Sequence, residues 1–370
     1  MDVKYYEIDP DGDVLLLLRT AKQEDESSED REFANDEPKA ETPNERMETE
    51  KRETECSGDA KSADEKTKAE SPTESVESSD IDIRMRLSSK HLILASRYFQ
   101  KMLGGDWKEG CILRDGQQLE VTEEGWKSGP FLILMNIIHG RTKKVPRTVT
   151  IDVLTEIASL VDYYECLEVV EIMAEIWTSK ITIPHLTLKD IAQWLWLSYA
   201  FRWARKFKTW TKCAILTIEG PLYTQGLPIP DRILNEIQEQ REESIERIVA
   251  YLHGLLAEFT KTEPCCIECS CMMLGALTRA LSMMHLLSPR PSRPFSGLNL
   301  RDMLHGLAEI YSPSWYNTYY AREIHKCSLE SIIQPTLNSV TESITGLELE
   351  NFVRPEPISR GSLRSSQTKD

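Results

Sequence analysis

No run in this sequence is long and apolar enough to cross a bilayer. The most apolar window, Ile191 to Phe201, is interrupted by Gln193 and Ser198 and falls well short of a membrane span. Met1 to Glu7 carries neither a basic n-region nor an apolar h-region, so no secretory signal is expected. Familiar catalytic signatures are missing too. Gly104-Gly105 precede no Lys-Ser/Thr pair, so no glycine loop is built to cradle phosphate, and neither His-Glu-x-x-His nor Gly-x-Ser-x-Gly occurs. These gaps weigh against an enzyme. There is no excess of basic charge either. The 370 residues carry 44 Lys/Arg against 60 Asp/Glu, a net of −16. Residues 21–80 alone hold 21 Asp/Glu and 9 Lys/Arg, a net of −12, which leaves −4 for the rest. A near-neutral remainder does not attract phosphate backbones, so nucleic acid is not an expected partner, and neither is a membrane.

What is present falls into three blocks. Pro10-Asp11-Gly12 is a turn signal, and Val14 to Leu18 is a short apolar run that reads as a buried strand. Residues 21–80 are dominated by Glu, Asp, Ser, Thr, Lys and Pro. Such a segment buries too little apolar surface to offset its ordering entropy, so a disordered acidic insertion is expected. Thr42-Pro43 and Ser71-Pro72 within it are candidate phosphorylation sites, and the segment suits a basic partner or a solubilising spacer. Ile81, Ile83, Met85 and Leu87 then alternate with Asp82, Arg84 and Arg86, the pattern of a half-buried strand. One helix is expected next, capped by Ser88 or Ser89, with Leu92, Ala95, Phe99, Met102 and Leu103 on one face, ending at Gly104-Gly105. A short strand near Leu119 and Val121 and three helices follow. The first of these runs through Phe131 to Ile138, the second through Val153 to Tyr164, and the third through Leu167 to Trp177.

Lys90-His91-x-x-Leu94-x-x-x-x-Tyr98-Phe99 resembles the first helix of a BTB/POZ domain, in which a buried His-Lys pair and an aromatic anchor precede a Met-Leu end. Val161-Asp162-Tyr163-Tyr164 is similar to the family's Ala-Asp-x-Tyr segment. Ile137-Ile138-His139-Gly140 stands where the family has a Tyr-x-Gly turn, with the aromatic replaced. The resemblance covers roughly residues 11–180 without the insertion and is closest to fungal BTB-domain proteins. Leu227-Pro228-Ile229-Pro230, Leu274 to Thr278 and Leu287 to Pro291 extend it into the C-terminal half. It implies protein partners, either as a homodimer or on a cullin-type ubiquitin-ligase scaffold.

Beyond Pro184 the chain reads as helical. Trp194 to Trp203 make an aromatic-dense helix with little polar face, expected in the core rather than as a pocket wall. Pro228 and Pro230 punctuate the start of a long helix, and others are expected at 272–286 and 298–310.

The nine cysteines suggest reduced thiols, hence an intracellular protein of nucleus or cytoplasm. Cys265-Cys266-Ile267-Glu268-Cys269-Ser270-Cys271 and His325-Lys326-Cys327 form the one constellation with ligand character. Paired thiolates and an imidazole suit tetrahedral zinc, with Cys265, Cys269, His325 and Cys327 as the preferred set and Cys266 and Cys271 as alternates. The competing explanation is small residues buried at a helix start. A zinc here would be structural before catalytic. His91 reads as a core histidine bonded to backbone rather than a general base, because no nucleophile elbow accompanies it. His139 and Lys143-Lys144 lie beside a basic loop, solvated rather than an import patch.

The expected architecture is an α+β BTB/POZ domain from residues 1–20 and 81–180, split by the insertion at 21–80. A mostly α-helical domain at 181–354 and a disordered tail at 355–370 follow. The expected role is a non-enzymatic interaction or adaptor protein, self-associating or cullin-linked. The alternative is a metal-dependent enzyme or zinc-stabilised module built on the Cys/His cluster.

Overall fold

A computed structural model of the chain describes residues 4–19, 82–263, 265–313 and 327–353. The acidic insertion at 21–80, the tail at 355–370 and His325 lie outside the described residues. The fold is α+β and mostly helical, with one small sheet.

The sheet is organised around β2 (Val14–Arg19), five of whose six residues are Val or Leu. β3 (Asp82–Leu87) pairs antiparallel to it, with Val14 opposite Leu87 and Leu18 opposite Ile83. The two segments therefore join in sequence register across more than sixty intervening residues. On the other side, β4 (Leu119–Glu124) runs parallel to β2. The alternation expected for residues 81–87 is present, with Ile83, Met85 and Leu87 buried and Arg84 exposed. β1 (Lys4–Glu7), which has no counterpart in the sequence-based expectations, adds a parallel edge beside β3, giving the order β1-β3-β2-β4. It is short and largely exposed, so its apolar signal is weak. Gly12 is required before β2, because a Cβ there would lie 2.5 Å from the Leu87 carbonyl oxygen.

The helix expected after β3 is two helices, α1 (Ser89–Ala95) and α2 (Arg97–Gly104). Ser96 breaks it. Its backbone is extended, its Oγ accepts from the Phe99 amide at 3.1 Å, and its hydroxyl donates to the Tyr164 carbonyl at 2.6 Å. A serine that caps one helix and anchors on another element competes with helix continuation. The cap expected from Ser88 or Ser89 comes from a distance instead. The Asp13 carboxylate accepts from the Ser89 amide at 2.7 Å and from its hydroxyl at 2.6 Å. A short α3 (Lys108–Arg114) leads to β4, and α4 (Ser128–Ile138), α5 (Ile151–Tyr163) and α6 (Leu167–Thr178) follow as expected.

The aromatic helix is α7 (Leu188–Ala200), buried from Ile191 to Ser198. It packs on α5, so the boundary at residue 180 does not interrupt the apolar core. Asp152 of α5 ties the contact, accepting from Gln193 Nε2 at 2.7 Å and pairing with Lys189 at 3.1 Å. α8 (Ala204–Thr217) and α12 (Leu329–Ser343) were not expected. α8 is rich in Lys and Thr, and α12 carries Pro335 in its interior, which reads as a helix breaker. The long helix is α9 (Asp231–Lys261), followed by α10 (Ile267–Met283) and α11 (Leu300–Ala308).

Arg241 of α9 is fully buried. Its guanidinium donates to four carbonyls, those of Ile218 (2.9 Å), Pro294 (3.1 Å), Phe295 (2.6 Å) and Leu298 (2.9 Å). The proline-rich connector is thus held to α9 by Arg241 from within and by the surface pairs Arg290–Glu246 and Arg293–Glu242. Arg241→Met, which keeps length but donates nothing, should cost at least ~3 kcal/mol in urea unfolding because buried carbonyls lose charged donors.

Arg19 and Asp82 are register partners, so the insertion leaves and re-enters the sheet at adjacent positions. Replacing residues 20–81 by Asn-Gly should leave the far-ultraviolet spectrum of the ordered part intact. It should raise stability by up to about 3 kcal/mol through the shorter loop closure.

Candidate functional site

Two regions gather chemistry. The first is the surface made by β1 and α1. Leu94 of α1 is 88 % exposed, Lys90 and His91 are exposed one turn before it, and Tyr5 of the edge strand is exposed as well. The buried Lys-His pair implied by the family resemblance is therefore not what stands here. His91 faces out, with Nδ1 4.0 Å from the Asp9 carboxylate and its ring tilted against that of His139, the centroids 5.1 Å apart. The two histidines exchange the roles read from sequence. His139, expected beside a solvated loop, is the half-buried one with both ring nitrogens engaged. The Ser88 amide can only donate, so Nε2 accepts from it at 3.0 Å. Nδ1 therefore holds the proton and donates to the Met135 carbonyl at 2.8 Å. Burial pushes the His139 pKa below its usual value. The Met135 bond and Asp9 oppose the shift, and His91 and Arg141 reinforce it.

On the opposite edge strand of the sheet lies a carboxylate that the sequence reading passed over. Glu123 of β4 sits in register with Leu18 and points inward, at a position where the strand's alternation calls for an apolar side chain. Burial raises its pKa, and the neighbouring Tyr164 hydroxyl partly offsets this. Tyr98, Tyr163, Tyr164 and Trp126 pack edge to face and tilted around that region. The signal was legible in Leu119-x-Val121-x-Glu123, a strand whose third inward position is charged.

The second region is the thiol cluster at the start of α10. The sulfurs of Cys265, Cys266 and Cys269 all lie within 4.8 Å of one another. Cys327, just before α12, brings a fourth. Its thiol is in hydrogen-bonding contact with those of Cys265 and Cys269 and electrostatically coupled to Cys266. Cys266 is the N-cap of α10, and its Sγ accepts from the Cys269 amide at 3.4 Å. The contact with Cys327 raises the Cys265 pKa, and burial raises that of Cys327. Three of the four preferred ligands thus meet, Cys265, Cys269 and Cys327. Cys266, an alternate, joins them. Cys271 is exposed beyond the cluster, and His325 lies outside the described residues. The spacing Cys266-x-x-Cys269 was the available signal for choosing Cys266.

As a sequence the chain matches no protein-family model and no curated protein. Among the described residues no helix is long and apolar enough to cross a membrane.

Neutral His139 serves the folded state, and its folded pKa lies below the unfolded value of about 6.5. Its contribution is therefore complete above that pH and is lost as pH falls from there towards the folded pKa. Urea midpoints measured from pH 8 to pH 5 should decline below pH 6.5, and His139→Gln should flatten that part of the profile.

Proposed function

We propose that this chain is a BTB/POZ-type protein-interaction module, an adaptor without catalysis of its own. What supports the reading is the order of the elements. The implied order of strand, strand, helix, strand and three helices is contained in β2, β3, α1 to α3, β4 and α4 to α6, with β1 and two short helices in addition. The observation that carries the interaction role is Leu94. An exposed leucine on α1, together with β1 standing at the edge of the sheet among the described residues, favours association with another protein. Self-association through β1 and α1 is the first partner we assign. A cullin-type scaffold is the second, and both draw on protein surface rather than on a cleft.

Size-exclusion chromatography with light scattering tests this. The wild-type chain should run as a dimer and Leu94→Asp as a monomer. A surface substitution changes stability by no more than about 0.5 kcal/mol, so the melting temperature should hold. A wild-type chain that stays monomeric at every concentration and is not retained by an immobilised cullin-type scaffold would sink the proposal.

A further inference from the structure

The four thiols are better explained as one site than as packing. A core role accounts for Cys269, which is 3 % exposed, but not for Cys265, which is exposed, or Cys266 and Cys327, which are partly so. Three of the nine cysteines meet at one point, and Cys327, 58 residues beyond Cys269, reaches the thiols of Cys265 and Cys269.

The geometry points to a tetrahedral zinc site with Cys265, Cys266, Cys269 and Cys327 as its ligands. Zinc–thiolate bonds of about 2.3 Å place tetrahedral sulfurs ~3.8 Å apart. Three of these sulfurs already lie within 4.8 Å of each other, so contraction by about 1 Å completes the shell on that side. Cys327 closes the fourth corner. All-sulfur donors select a soft or borderline ion, and zinc suits this closed tetrahedron. Four thiolates leave no open position for water or substrate, so the metal is structural and not catalytic. Part of the excess negative charge is met by the N-terminus of α10, where the Cys269 amide already points at the Cys266 sulfur. His325 is not a ligand in this set, although the sequence pattern favours it.

The site has a mechanical consequence. α10 and α12 both pack on α9. A shared metal joins the start of α10 directly to the residue just before α12. It thereby clamps one end of a three-helix layer that is otherwise held by side-chain packing and by hydrogen bonds such as that from the Tyr251 hydroxyl to the Ile332 carbonyl.

The test uses the full chain purified without chelator and analysed by atomic emission. One zinc per chain is expected, together with a thiolate-to-metal charge-transfer band after exchange for cobalt(II). Cys266→Ser and Cys327→Ser should each abolish stoichiometric zinc, while Cys271→Ser and His325→Ala should retain it. Where a serine variant fails to fold, alkylation mapping of the wild type replaces it. Zinc should shield Cys265, Cys266, Cys269 and Cys327 together, and a chelator should expose all four together. Wild-type protein without zinc, whether its thiols are free or oxidised to a disulfide, would overturn the assignment. So would loss of zinc in His325→Ala with retention in Cys266→Ser.

Discussion

The pairing of β2 with β3 is the constraint from which the N-terminal half is built. β2 has a partner on each side, antiparallel on one and parallel on the other, so its removal would split the sheet and leave β4 unpaired. Its inward residues Val14, Leu16 and Leu18 are fully buried and meet Leu87, Met85 and Ile83 row by row. That packing sets the register, because a slip of one residue would turn the leucines to the opposite face. The register then delivers Asp13 to the first turn of α1, where it caps the helix from outside. The face that carries Leu94 is oriented by a carboxylate on the far side of the insertion.

The helical half depends on a comparable economy of polar contacts. Arg241 satisfies four carbonyls at the meeting point of α9, the segment after α8 and the proline-rich connector. A buried guanidinium has to be bonded, and these irregular segments have carbonyls to spare. One side chain therefore resolves two problems, and α11 is placed against α8 and α9 as a result. The thiol cluster lies towards the other end of α9, where the Ser270 hydroxyl donates to the Thr262 carbonyl.

The elements that could be read from sequence were those whose apolar spacing was undiluted. β2, β3, α4 to α7 and α9 each carry a full stripe of large apolar side chains at the right period. α8 and α12 escaped because lysines and threonines dilute one and Pro335 interrupts the other. β1 escaped because an edge strand buries little. Ser96 looked like an ordinary helical serine, and only its bond to the Tyr164 carbonyl explains why the helix is broken there. The thiol cluster was half legible. Cysteine density marked the place, but which sulfurs converge depends on where α12 begins.

Periodicity and composition by themselves determined the helical and strand character of the strongest segments, the separation of the acidic block from the rest, and the absence of familiar catalytic loops. They did so because burial and helical or strand geometry leave local traces. Tertiary structure alone decided the distant caps, the exchange of roles between His91 and His139 and the arrival of Cys327 beside the Cys265 and Cys269 thiols. Each of these is a contact between residues far apart in the chain, and no local spacing encodes which distant donor will meet which acceptor.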